Sequence, residues 1–210
     1  MPRLILVRHG QTTYNVEFRY QGHADIALNE VGLAQAATLQ TRLAGYKLDA
    51  VFSSDLQRAM RTAEIAVENH PSGLKPQAST LLREVNGGGF EGLTWSEISE
   101  KYPELSARWR ENRATISPPG GENLTEVAAR LSRFLDQVME EYPGEDQTVL
   151  VVAHGGTIGI LISYLLGMDL NKIWQLRTDN CSVTILDIYA KGAILSLFND
   201  AHHVEKLNFE

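Results

Sequence analysis

Two histidines in this chain stand directly after unbroken aliphatic runs: His9 follows residues 4–7 and Arg8, and His154 follows residues 149–153. Such runs read as strands buried on both faces, and an open α/β sheet binds its ligands at the carboxyl ends of its parallel strands. The spacing therefore delivers two imidazoles to one sheet edge. The neighbours suit an anion. Arg8 adjoins His9, Gly155, Gly156 and Thr157 lead from His154 into a helix with unpaired N–H groups, and Arg58 lies one turn into a helix after Ser53-Ser54-Asp55. A planar guanidinium grips two phosphate oxygens at once and stays charged at working pH. Each feature has a plainer reading: either histidine merely ends its strand, and Arg58 is a solvated helix arginine paired with Asp55. Their convergence is what points to a phosphate site.

The elements that must position these residues alternate between strand and helix, which predicts an α/β fold: a three-layer αβα sandwich with a mostly parallel, mixed central sheet. Strands are expected at residues 4–7, 50–52 and 149–153, with a terminal hairpin from 183–188 and 194–198. Helices are expected at 31–43 and 56–67, the second capped by Ser54 or Asp55, and the apolar stretch 158–168 reads as a buried helix. Leu124, Val127, Ala128, Leu131, Leu135, Val138 and Met139 fall at helical spacing, in a long amphipathic helix that Pro143-Gly144 ends. The least regular stretch, about 86–123, holds three successive glycines, two tryptophans and Pro118-Pro119, and predicts a lid inserted into a single domain over residues 1–210.

Composition narrows the function classes. A chain of 210 residues that is 43% apolar and 21% charged is outside the disordered range and large enough to bury a core without staples. The lone Cys181 excludes a disulfide scaffold and predicts a reducing compartment, the cytoplasm. A net charge of −7 without any long basic run argues against nucleic acid as a partner. Residues 4–7 are too few for a signal peptide, and 158–168 fall short of the ~18 that a membrane span needs, so no membrane partner is expected. Adjacent His202 and His203 point their rings apart, which predicts a role at the rim of a substrate pocket rather than a metal site. Three phosphate-handling chemistries lack their parts: Cys181 is followed six residues later by Asp187 rather than Arg, no Asp-x-Asp pair exists, and no Gly-Lys-Ser/Thr follows Gly87 to Gly89.

Four segments, in order, resemble the motifs of the histidine phosphatase superfamily, in its phosphoglycerate mutase-like branch. They are Leu6-Val7-Arg8-His9-Gly10-Gln11-Thr12-Thr13-Tyr14-Asn15, Ser53-Ser54-Asp55-Leu56-Gln57-Arg58-Ala59 with Thr62-Ala63, Leu82-Arg83-Glu84 leading to Phe90-Glu91-Gly92-Leu93-Thr94, and Val151-Val152-Ala153-His154-Gly155-Gly156. The resemblance implies that His9, Glu84 and His154 are catalytic: His9 the nucleophile that becomes phosphohistidine, Glu84 the general acid that later activates water, and a protonated His154 a partner of the phosphoryl group. It implies substrate-binding roles for Arg8, Asn15, Gln21, Gly22, Arg58 and Gly155, with no metal and no cofactor.

Glu84 is followed by Val85-Asn86-Gly87, where the sugar-acid mutases of that family carry an Arg-His-Tyr-Gly-type sequence, and this chain is short for a mutase. Both points favour a phosphatase acting on a small-molecule phosphomonoester. The alternatives are a 2,3-bisphosphoglycerate-dependent phosphoglycerate mutase and a non-catalytic binder of phosphorylated ligands. Trp95, Tyr102, Leu105 and Trp109 of the lid either wall a pocket for an organic leaving group or pack short helices onto the sheet. Gly87 stands where phosphoserine enzymes of the family tend to carry histidine, whereas His203 resembles theirs, so the ester stays open. The expected partner is a small phosphorylated metabolite, with a homodimer as a further possibility.

Overall fold

The computed structural model describes residues 2–190 and 192–207, apart from the Lys206 side chain. Along the chain run β1 (Arg3–Arg8), α1 (Thr13–Val16), α2 (Glu30–Leu43), β2 (Ala50–Ser54), α3 (Gln57–Val67), β3 (Gln77–Ser79), α4 (Trp95–Lys101), α5 (Pro103–Glu111), α6 (Leu124–Glu141), β4 (Thr148–Ala153), α7 (Gly155–Leu166), β5 (Val183–Tyr189) and β6 (Gly192–Asp200). The strands form one sheet in the order β3-β2-β4-β1-β5-β6. The first four are mutually parallel, while β5 runs antiparallel to β1 and β6 to β5.

Strand periodicity explains the layers. Successive side chains of a strand point to opposite faces, so an unbroken aliphatic run needs cover on both. In β1, Leu4 and Leu6 pack with α6 and α7, while Ile5 and Val7 pack with α2 and α3; all four are fully buried. The α6 stripe expected from helical spacing is the layer contact, with Val127, Leu131, Leu135 and Val138 buried. The expected α/β class, with helices on both sides of a mixed sheet, is what the chain adopts. Among the described residues no helix is long and apolar enough to cross a membrane.

Several boundaries differ from expectation for physical reasons. Neither Ser54 nor Asp55 caps α3: Leu56 occupies that position without a side-chain cap, and the first helical N–H, on Gln57, is bonded at 2.7 Å by the distant Asp25. Asp55 is committed to Arg83 instead, at 2.8 Å from its Nε. β3 is three largely polar residues and carried no strand pattern. α7 starts at Gly155, earlier than its apolar run.

The stretch between β3 and α6 builds a small core of its own. Thr94 and Glu97 close a capping box on α4, and Pro103 opens α5. Phe90, Ile98 and Trp109 are buried together, with Tyr20, Trp95 and Tyr102 packed against them.

Candidate active site

The register of the sheet makes the site. Arg8 and Ala153 are the final pair of β1 and β4, and the His9 N–H donates to the Ala153 carbonyl at 3.0 Å. The next residue of each strand is a histidine, and the two rings lie side by side with centroids 5.2 Å apart. Gly10 is required immediately after: a Cβ there would lie 2.4 Å from the Gly32 carbonyl oxygen of α2. His9 is 2% exposed and His154 fully buried.

Hydrogen bonds fix both tautomers. Nδ1 of His9 lies 2.7 Å from the Gly10 carbonyl, which only accepts, so Nδ1 carries the proton and the lone pair sits on Nε2. Nδ1 of His154 accepts from Arg58 Nε–H at 3.2 Å, which puts its proton on Nε2, a buried atom without an acceptor among the described residues. Burial, reinforced by Arg58 and other neighbouring charges, holds both rings well below the usual histidine pKa. His154 is therefore a neutral donor here, which corrects the expectation of a protonated imidazole: a second positive charge would have to sit beside Arg58 in the dry interior.

The cations are the two arginines. Arg58 is fully buried, donating to the carbonyls of Gly22 at 2.8 Å and Ala24 at 2.7 Å, and burial lowers its pKa only to about 10, so it stays charged at neutral pH. It is not the solvated, Asp55-paired helix arginine of the plainer reading. Arg8 donates to the Thr178 carbonyl at 2.6 Å, while its enclosed Nε has no acceptor among the described residues.

Glu84 stands opposite, and its placement revises the role of the His154-Gly155-Gly156-Thr157 turn. The N–H groups of Gly156 and Thr157, at the start of α7, donate to the two Glu84 carboxylate oxygens at 3.0 Å each, and Val85 N–H adds a third bond at 2.8 Å. The anion at this helix terminus is thus a side chain of the protein. Gly155 does not line the cavity; it packs against Arg8 and Thr178, and Gly156 takes the position expected for it. A Cβ on Gly156 would meet Glu84 Oε1 at 2.6 Å, so glycine is what lets the carboxylate dock. The Glu84 carbonyl is clamped as well, by Arg130 and His23, both at 2.9 Å.

Arg8, His9, Asn15, Gln21, Gly22, Arg58 and Glu84 all line one cavity of about 200 Å³. Asn15 Oδ1 accepts from Thr12 N–H at 3.1 Å, and Gln21 Oε1 lies 3.0 Å from the Thr12 hydroxyl. Their amide oxygens being engaged, both side chains offer N–H donors to the cavity. A site of this kind, with two guanidinium groups, fixed N–H donors and an imidazole lone pair, is built to hold an oxyanion and attack its central atom. Among the described residues, no group of three or more His, Cys, Asp or Glu side chains is placed to hold a metal ion.

Arg19, Tyr20, Val85, Gly156 and Trp174 complete the lining of the cavity, and sequence reasoning missed them. Trp174 comes from a short 3-10 turn, Leu170–Gln175, where no local pattern could announce a wall residue. Of the lid aromatics, Trp109 is 3% exposed, Trp95 stacks on it, and Tyr102 packs on Phe90, so packing is their role. His203 donates to or accepts no substrate-side group: its Nε2 donates to the Cys181 carbonyl at 3.0 Å, and His202 pairs with Glu205. Neither histidine lines the cavity, which corrects the expected rim role.

The chain is similar to known proteins over nearly its whole length. The family model of the histidine phosphatase superfamily (branch 1) matches residues 4–201. Phosphoserine phosphatase 1 of Hydrogenobacter thermophilus is 34% identical, covering 100% of this chain and 98% of its own. The adenosylcobalamin/alpha-ribazole phosphatase of Escherichia coli is 32% identical, over 94% of this chain and 95% of its own. The structure of mycobacterial glucosyl-3-phosphoglycerate phosphatase complexed with VO3 superposes with a TM-score of 0.85 at 36% identity, covering 95% of this chain and 100% of that one. With the motif order, the sheet-edge histidines and these relatives in agreement, the chain belongs to the histidine phosphatase superfamily and is a phosphoric monoester hydrolase.

Proposed function

We propose that the chain hydrolyses a small phosphorylated metabolite, without a metal ion, through a phosphohistidine on His9. The observation that carries this reading is the 2.7 Å bond from His9 Nδ1–H to the Gly10 carbonyl, which leaves Nε2 as a lone pair in a cation-lined cavity. In the first step Nε2 attacks phosphorus and the P–O bond to the alcohol breaks, while the Glu84 carboxylate relays to the leaving oxygen the proton that the monoanionic ester brings with it. In the second, Glu84 takes a proton from water, the oxygen attacks phosphorus, the P–N bond breaks, and neutral His9 is restored with release of phosphate. Arg8, Arg58 and the unpartnered Nε2–H of His154 stabilise the equatorial oxygens in both steps. Asn15 and Gln21 add neutral donors, and Gly22 positions Arg58 through its carbonyl.

The reading is tested by quenching turnover of a ³²P-labelled ester in excess EDTA. The expected label is acid-labile and base-stable, as for a phosphoramidate, and absent from His9→Ala, which loses turnover by roughly 10⁴-fold or more. Acid-stable label, or activity that EDTA abolishes and a divalent ion restores, overturns it.

A further inference from the structure

Residues 21–25 form a turn without regular secondary structure, closed by the Ala24 N–H on the Gln21 carbonyl at 3.0 Å. Most of this turn serves the phosphate end of the cavity. The Gln21 amide meets the Thr12 hydroxyl, and the carbonyls of Gly22 and Ala24 both accept from the Arg58 guanidinium, at 2.8 and 2.7 Å. His23 is the exception. Its backbone N–H donates to Glu91 Oε1 at 2.7 Å, and its ring crosses to the segment that carries Glu84, where Nε2 lies 2.9 Å from the Glu84 carbonyl. A carbonyl only accepts, so Nε2 carries the proton and donates.

The Glu84 carbonyl thus has two donors of different origin. Arg130, on α6, supplies one at 2.9 Å, and the same guanidinium is fixed by Glu122 at 3.0 Å and by the Leu81 carbonyl at 2.7 Å. That donor ties Glu84 to the helical layer. His23 supplies the other, and ties Glu84 to the turn that grips Arg58. Glu122 comes within 3.8 Å of the same ring nitrogen, but its oxygens already accept from Arg130 and the Asn86 N–H, so the carbonyl is the partner that fixes the ring. His23 does not line the cavity. One turn nevertheless holds both Arg58, which receives phosphoryl oxygens, and Glu84, which handles the proton of the leaving group. Anchors that share a turn fix the distance between two groups closely, and a misplacement of about 1 Å can cost roughly 10²-fold in rate.

We propose that His23 is a positioning residue for this reaction: its bond to the Glu84 carbonyl sets the Glu84 carboxylate against a phosphoryl group held by Arg58. The assignment rests on the phosphatase reading above and extends it to a side chain that touches neither substrate nor reacting atoms. Because the carboxylate keeps its seat on α7, loss of His23 shifts Glu84 without unseating it.

The test measures kcat/KM, which covers binding and phosphorylation of His9 but not the later attack of water. The substrates are p-nitrophenyl phosphate and whichever of glycerol 3-phosphate, O-phosphoethanolamine and O-phosphoserine the wild type turns over best. His23→Leu removes the donor, whereas His23→Gln places an amide N–H near the position of Nε2. With leucine the alkyl ester is expected to lose about tenfold and p-nitrophenyl phosphate about threefold or less, since its anion leaves without a proton. Glutamine should bring the alkyl ester back to within about threefold of wild type. In a Glu84→Gln background, His23→Leu should cost that ester no more than about twofold, because its effect passes through the carboxylate. No loss with leucine, equal losses on both esters, a glutamine variant no better than leucine, or full additivity in the double variant overturns the proposal; a merely structural histidine gives the last three. Should the leucine variant not fold, His23→Asn, too short to reach the carbonyl, replaces it in every comparison. Equal losses on both esters in Glu84→Gln alone remove the proton relay and this proposal with it, as does a wild type active on p-nitrophenyl phosphate only. A wild type inactive on every ester would instead remove the phosphatase reading.

Discussion

The two ends of the cavity are built on different principles. At the inner end His9, Arg58 and His154 are 0–2% exposed, each held by a backbone carbonyl or by one another, and each stands at or near the end of a sheet strand. At the other end, Tyr20 and Trp174 come from a loop and a short 3-10 turn, Trp174 is half exposed, and Tyr20 packs against the satellite core of Phe90, Ile98 and Trp109. The inner end gains rigidity from strand register, and so suits a reaction common to all phosphomonoesters. The other end is free to differ without disturbing that register, and so suits the selection of one ester.

The largest effect that would sharpen this contrast is expected at Glu84, the residue between the two ends. Glu84→Gln keeps the shape but has no proton to transfer. An alkyl phosphate should lose roughly 10²–10⁴-fold in the phosphorylation step, and p-nitrophenyl phosphate, whose anion leaves unaided, clearly less. Burst kinetics isolate that step from water attack, in which the same carboxylate is required. Equal losses for both substrates would remove Glu84 as the acid. Glu91 would not then be the obvious substitute, because its carboxylate is bound to the N–H groups of His23 and Gly87.

A smaller effect follows at Gly156. The Cβ of Gly156→Ala would press on Glu84 Oε1, displacing the carboxylate without touching the arginines or His9. The expected loss is about 10²-fold or less, with the same leaving-group dependence as Glu84→Gln. Unchanged rates would show that the carboxylate does not act from its seat on α7.

The smallest effect is on stability and belongs to the inner end alone. Both buried histidines have folded-state pKa values depressed below the unfolded value near 6.5. Below that pH the unfolded chain binds more protons than the folded one. The stabilisation is therefore complete above about pH 6.5 and lost as pH falls from there toward the folded-state values, at up to about 1.4 kcal/mol per pH unit for each histidine. Urea midpoints at pH 7.0 and 5.5 should show the decline, and His9→Gln should make it shallower. A midpoint unchanged between the two pH values would contradict the burial of neutral imidazoles.

The same contrast decides what could be read from sequence. Aliphatic runs ending in His9 and His154 announce both strand and site, because strand burial and sheet-edge chemistry depend on consecutive residues. Glu84 was reached only through motif resemblance, since its seat depends on Gly156 and Thr157, far along the chain. The capping of α3 by Asp25 and the anion at α7 were misread for that reason: a helix terminus takes whatever acceptor the fold brings to it. For Trp95 and Trp109 the sequence left pocket wall and packing equally open; they fill the satellite core, and among the described tryptophans it is Trp174, from a turn far along the chain, that lines the cavity.

β1 is paired on both sides, by β4 and by β5, and its last carbonyls also accept from the Cys181 N–H. Its amides have no route to solvent short of dismantling the sheet, so their hydrogen exchange should report global unfolding rather than local opening. The strand that carries the nucleophile thus cannot breathe to admit a substrate or release a phosphate. Any opening of the cavity falls instead to lining segments outside the sheet, such as the loop of Tyr20 and the 3-10 turn of Trp174.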